Sequence, residues 1–315
     1  MYKKTALSIL SLFTTLSLSA NGISDEEAAR IAQEAHLASI NALLIFTSQD
    51  GLNSGIYHFT NIGVDIQIYN LPFTYTFDSD GDKLEYFMVG NVGYSRVVLS
   101  KDREVQTDQG RLNYKNHLRT YTAGIGGGLK YHLNEDISVS GGLEVIYSVS
   151  GVSVKEPGDG IDDAITDFFN KDYNQNISYK FLTSIEYKPK MKIFKPYVTL
   201  SYELFDTKST FDFNEFVNFT SQSMVTSLAV GAETNELYRY NTHYLTLEGY
   251  IDINHINGKA AETIKLNNFT TLGAVAYLYA EEAPSWIERY FIEISTVRAD
   301  GLNGYNFGVG FTIDF

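Results

Sequence analysis

The chain has 315 residues, a formal charge of −14, no cysteine, and 23 Tyr and 20 Phe against 1 Trp, with 25 Gly and only 5 Pro. The absence of cysteine excludes disulfides, zinc–thiolate sites, cysteine nucleophiles and lipid attachment at a processed cysteine. The acidic balance argues against a nucleic-acid partner, and the excess of Tyr, Phe and Gly favours strands.

Two lysines, Lys3 and Lys4, precede an apolar stretch from Ala6 to about Leu18, and the small residues Ser17, Ser19 and Ala20 follow. This order predicts a cleaved export signal over 1–20. The stretch is shorter than the roughly 20 residues that a spanning helix needs. Loss of the leader makes the chain two units more negative, because Lys3 and Lys4 go with it.

Residues 21–50 read as a helix and linker. In "SDEEAARIAQEAHLASINALL" Ser24 and Glu27 stand in capping-box spacing, and Ala28, Ile31, Ala32 and Ala35 recur at helical intervals. A helix over 25–44 with so narrow an apolar stripe needs a partner. The partner has to come from residues 51–315, with the helix lying either along their rim or inside them.

From 51 to 315 the dominant period is two. "LEYFMVGNVGYSRVVLS" places Tyr86, Met88, Gly90, Val92 and Tyr94 on one parity, and "LRTYTAGIGGGLKYHLN" places Tyr121, Ala123, Ile125, Leu129, Tyr131 and Leu133 there. The other parity of the second segment holds Gly124, Gly126, Gly128 and Lys130. "ISVSGGLEVIYSVSG" sets Val139, Leu143, Val145 and Tyr147 against Glu144, and "NISYKFLTSIEYKP" sets Tyr179, Phe181, Ile185 and Tyr187 against Lys180 and Glu186. Weaker copies cover 55–60, 64–77, 194–205 with Glu203, 224–232, 241–254 with Glu248, 267–280 and 287–298. The chain ends in "GYNFGVGFTIDF", with Tyr305, Phe307, Val309, Phe311, Ile313 and Phe315 on one face. Strands with one greasy and one polar face fit a wall between lipid and a wet interior. A soluble sandwich is the competing arrangement.

The segments number 12, an even count that lets one chain close a barrel with both ends on the same side. Ten is the alternative count, since the first segment is short. Connections at 101–117, 152–172, 206–223 and 255–266 are long and polar, whereas "NED" at 134–136, "PKMK" at 189–192 and the segment at roughly 281–286 are short. That alternation matches the external loops and periplasmic turns of outer-membrane barrels. The tight turn near Asn61 and the longer one at 233–240 depart from it.

The terminal "YNFGVGFTIDF", closed by Phe315, resembles the C-terminal signal of bacterial outer-membrane proteins, which the barrel-assembly machinery reads. A helix followed by about 12 strands also resembles the translocator barrel of autotransporters. The order differs in that at most a few residues separate the expected cleavage point from Ser24, so the closer likeness is to solitary, passenger-less autotransporter-like barrels. For these the fold implies a pore with an inner helix. Lumen-facing candidates are Gly124, Gly126, Gly128, Lys130, Glu144, Lys180, Glu186, Glu203 and Glu248, and the glycines there let a helix lie close to the wall, relieve strand curvature or receive a neighbouring Tyr ring.

Remaining motifs carry less chemistry. "GIGGGL" lies inside an alternating strand and lacks the Lys-Ser/Thr pair of a phosphate loop. Asp252 and His255 are close enough in sequence to pose as a water-activating pair. Asp78, Asp80, Asp82 and Glu85 surround Gly81 at spacings that could hold Ca²⁺, although Asp and Gly are favoured in such turns anyway. The expectation is therefore an outer-membrane translocator or narrow pore without catalysis, cofactor or metal. It would be surrounded by lipid and lipopolysaccharide and would act as a monomer. The alternatives are a surface-interaction barrel working through its long loops and an outer-membrane hydrolase.

Overall fold

The computed structural model describes residues 45, 52–61, 64–77, 83–99, 103–107, 110–155, 174–209, 220–280 and 287–313. The expected export signal, the helix over 25–44, the acids Asp78, Asp80 and Asp82, and Phe315 lie outside these residues.

The described strands are β1 (Leu52–Phe59), β2 (Val64–Phe77), β3 (Leu84–Leu99), β4 (Arg103–Thr107), β5 (Gly110–His132), β6 (Ile137–Lys155), β7 (Asn174–Tyr187), β8 (Phe194–Ser209), β9 (Thr220–Thr234), β10 (Tyr238–Tyr240), β11 (His243–Gly258), β12 (Asn268–Ala280), β13 (Ile287–Ala299) and β14 (Leu302–Ile313), with one short helix, α1 (Lys259–Ile264). Twelve of the strands form a closed antiparallel barrel. The first strand pairs with the last, Ile56 opposite Tyr305, and β9 pairs with β11, Val225 opposite Ile256, so neither edge of the sheet is left open. No described helix is long and apolar enough to cross a membrane.

The period-two pattern becomes two faces. Outside lie Tyr121, Ile125, Leu129 and Tyr131 of β5, Tyr179, Phe181, Ile185 and Tyr187 of β7, and Tyr305, Phe307 and Phe311 of β14, all exposed. An apolar surface this extensive has no place in water. Inside, the alternate residues are buried, among them Thr120 and Thr122 of β5 and Ser178 of β7.

One end carries short connections. The turns at 133–136 and 188–193 are joined by Lys188 N–H to Asp136 O at 2.7 Å and by a Lys190–Glu135 ion pair at 2.6 Å. The hydrogen bond from Lys190 holds the Glu135 carboxyl below its ordinary range. Between β9 and β11, the strand β10 folds back on the start of β11, Tyr240 opposite His243, which accounts for the extra length at 233–240.

The other end holds the long connections. The segment 101–117, expected as a loop, is instead largely a hairpin: β4 pairs with the start of the 23-residue β5, Arg103 opposite Tyr114, and prolongs the wall beyond the barrel. The tight turn at Asn61 has a reason. It lies beside the equally tight β13–β14 turn, where Thr60 N–H reaches Gly301 O at 2.9 Å and Asn61 Nδ2 reaches Asp300 O at 3.3 Å.

The segment 255–266 does not extend outward as a loop either. After β11, Gly258 adopts φ 81°, a left-handed value that L side chains rarely take, and the chain turns back into the barrel as α1. Ala260, Ala261, Ile264 and Leu266 are buried against Tyr57, Phe59, Ile66, Phe205, Val225, Ile256, Val297 and Leu302, which point inward from the walls. Ile45, which is helical, is buried in the same cluster. The long-connection end of the lumen is therefore filled by an apolar core.

Candidate functional site: the barrel lumen

Below this core the lumen is polar and charged. All nine sequence-predicted lumen residues lie on strand positions opposite in parity to the exposed aromatics, and the charged ones fall into three groups.

The first group sits on β3, β5, β6, β7 and β8. Lys180 pairs with Glu203 at 2.8 Å, and its ammonium stands 5.5 Å from the centroid of the Phe205 ring. Glu144, buried, accepts a hydrogen bond from Asn91 Nδ2. These side chains line a cavity of about 170 Å³, shared with Phe87, Thr122 and Ile146. Two carboxyl groups, Glu203 and Glu144, thus stand around one ammonium. A group buried to this degree persists only where it is paired.

Gly124, Gly126 and Gly128 lie on the inward parity of β5, against the side chains and backbone of β3 and β6. A Cβ on Gly124 would stand 2.5 Å from Asn91 Nδ2 and 2.6 Å from Glu144 Oε1. On Gly128 it would collide with both the Phe87 ring and the Gly141 carbonyl oxygen. The glycines are thus seats for an aromatic ring and a carboxylate–amide pair on the wall.

The second group is nearer the short-turn end. Glu186 receives Lys188 at 2.8 Å and Lys130 at 3.5 Å, and His132 meets Glu85 at 2.7 Å. Glu85 is thereby engaged with an imidazole.

The third group includes residues that the alternation alone does not single out. Glu248 is held by the hydroxyls of Tyr197 at 2.5 Å and Tyr277 at 2.7 Å. Glu233 accepts from Thr246 at 2.7 Å and Tyr279 at 3.2 Å and pairs with Arg289 at 3.1 Å. Arg289 stacks over Tyr277 at 3.9 Å. Tyr250 donates to Glu293. Glu293 was legible, because "FIEIS" places it between Ile292 and Ile294 on the polar parity. The inward tyrosines were not, since in a barrel Tyr serves the lipid boundary and the lumen equally well.

The Asp252–His255 pair is not assembled. Asp252 faces inward and accepts from Asn254 Nδ2 at 2.8 Å, while His255, three residues on, faces outward and bonds Asn268 Oδ1 at 2.7 Å. An odd spacing on a strand puts two side chains on opposite faces. Among the described residues no group of three or more His, Asp or Glu is placed to hold a metal ion.

No protein-family model matches the sequence, and no curated protein matches it. Among solved structures, the β-domain of the Bordetella autotransporter BrkA aligns at 8% identity with a TM-score of 0.56, over 84% of this chain and 97% of that one. The translocator domain of the autotransporter NalP from Neisseria meningitidis aligns at 10% identity and 0.53, over 91% and 100%. The transport unit of the Escherichia coli autotransporter AIDA-I aligns at 9% and 0.54, over 90% and 99%. At these identities the likeness is one of fold, and the fold of this chain is that of the autotransporter translocator β-barrels.

Proposed function

We propose that this chain is an outer-membrane barrel acting as an autotransporter-like translocator or narrow pore, closed at rest by its own lumen contents. The observation that carries the reading is the burial of α1 and Ile45 within one apolar cluster inside a closed barrel whose remaining lumen is lined by charge. An outward apolar surface bounded by tyrosines supports insertion in a bilayer. On this reading the chain ends and short turns are periplasmic and the long connections external. The export signal over 1–20 and recognition of the terminal strand by the assembly machinery belong to the same reading.

Single-channel recording in planar bilayers tests it, with the mature chain and with a chain lacking 21–46. A larger and steadier current after the deletion is the expected result. Negligible current from both, with folding verified by heat-modifiable gel mobility, would remove the pore. The second reading, a surface-interaction barrel, draws on the β4–β5 hairpin that continues the wall past the barrel. It predicts partner binding that is lost on deletion of 103–114 while conductance is unchanged.

A further inference from the structure

We infer that the lumen passes cations in preference to anions, and that Glu248 and Asp252 of β11 set this preference. The inference rests on the pore reading above and adds to it the class of solute that the pore admits.

Glu248 and Asp252 lie four residues apart on the inward parity of β11, about 13 Å along the strand. Four residues beyond Asp252 stands Ile256, buried in the apolar core around α1. The two acids therefore mark a line along the wall that leads up to the closed end. The inward cations of the wall are engaged elsewhere. Lys130 is paired with Glu186, Lys180 with Glu203, and Lys195 and Arg289 share Glu233. Among the described residues Glu248 and Asp252 form no ion pair. Their donors are neutral, the Tyr197 and Tyr277 hydroxyls at Glu248 and the Asn254 amide at Asp252.

A hydroxyl or an amide orients a carboxylate without supplying a counter-charge. Tyr197 and Tyr277 reach Glu248 from β8 and β12, one hydroxyl to each oxygen, and so fix it at the wall. The Tyr197 ring lies over its cross-strand neighbour Gly231, and the Tyr250 ring over Gly273, where any side chain would collide with them. The rings thus run along the wall, not across the lumen. At Asp252 the second oxygen, Oδ1, is buried and accepts no hydrogen bond, and the same holds for Asn306 Oδ1. Both residues border a cavity of about 60 Å³, shared with Glu293, which has room for an ion and its water. Oxygens without donors are met by a cation or its hydration shell and repel an anion. Carboxylates without counter-charges along a narrow passage raise the local concentration of cations in the same way.

The test uses the full mature chain, and beside it the chain lacking 21–46, in bilayers of neutral lipid that separate two KCl concentrations. Both are kept dilute so that lumen charge is not screened. The reversal potential reads the ratio of K⁺ to Cl⁻ permeability, and the current should reverse on the potassium side of zero. Glu248→Gln/Asp252→Asn should lower the ratio, about fivefold for each charge removed, the factor that a unit charge about 4 Å from an ion contributes in water. Each single substitution should show its own share, and Glu248→Asp, which keeps the charge, should keep the preference. Asp65→Asn removes an equal charge from the outer wall, where Asp65 faces His58, and should leave the ratio unchanged. A wild-type current that reverses at zero or on the chloride side overturns the inference and leaves the pore standing. So does an unchanged ratio in the Glu248 and Asp252 variants at wild-type heat-modifiability, or an equal loss in Asp65→Asn. Absence of current from both chains removes the pore reading itself, and the inference with it.

Discussion

The backbone N–H of Ala260 donates to Ser223 Oγ at 3.0 Å, which fastens the first turn of α1 to the inner wall of β9. A six-residue helix has few internal bonds, and Gly258 at its N-cap has no side chain to accept one. The wall supplies the acceptor. Ser223→Ala leaves a buried donor unmade, at a cost of about 1–3 kcal/mol, and should release α1 part of the time. In bilayer recordings this would appear as frequent brief openings absent from the wild type, with Ser223→Thr silent. Identical traces for the three proteins would show that α1 does not close the lumen.

The glycines of the wall can be ranked by what a side chain would meet. At Gly128 a methyl group collides with a backbone oxygen and the Phe87 ring, whereas at Gly249 nothing lies within 4 Å. Overpacking of this kind costs about 1–3 kcal/mol. Gly128→Ala should lower the urea midpoint of the folded barrel in vesicles, Gly249→Ala should leave it unchanged, and Gly128→Ala/Phe87→Leu should recover part of the loss. Equal midpoints for the two single variants would contradict the packing described.

Lys180 is the cation between Glu203 and Glu144. Removing one partner of a buried pair strands the other, typically at about 3–5 kcal/mol, whereas replacing both by apolar groups can be nearly neutral. Lys180→Met should therefore destabilise the barrel more than Lys180→Met/Glu203→Leu does. A double-mutant cycle on unfolding free energies measures the coupling. Additive effects would mean that lumen water screens the pair.

The barrel itself was legible because a strand with an apolar outer face and a wet or filled lumen on the other side writes its two faces directly into alternate residues. Tyr121, Ile125 and Leu129 mark one apolar face, and the even strand count with alternating long and short connections set the barrel apart from a sandwich. Short turns such as 133–136 were legible for a related reason, since a chain that must reverse within four residues leaves little to interpret. The interior was less so. Glu144 and Lys180 stand out as charges on a strand, but their partners come from β3 and β8 and are fixed by register, which the pattern of one strand does not contain. The plug was hidden more deeply. "GKAAETIKL" has too few residues for a helical period to emerge, and its apolar side is defined only by walls drawn from strands far apart in sequence.

Whether the outer face meets lipid is decided most sharply at Ile125. This residue is 63% exposed, lies between Tyr121 and Tyr131 on the outer face of β5, and has Gly90 and Val145 as cross-strand neighbours. On the surface of a soluble protein, replacing such a residue by arginine usually changes stability by within about 0.5 kcal/mol. In hydrocarbon the guanidinium loses its hydration, and near the middle of the bilayer the cost is about 2–4 kcal/mol. Ile125→Arg should therefore lower the folding free energy in vesicles by that larger amount, with the loss diminished in thinner bilayers, where the side chain reaches the interface. Ile125→Val should be close to neutral in both. If Ile125→Arg folds in thick bilayers with the wild-type midpoint, the outer face of β5 does not meet lipid, and the exposed tyrosines and isoleucines must be covered by protein instead.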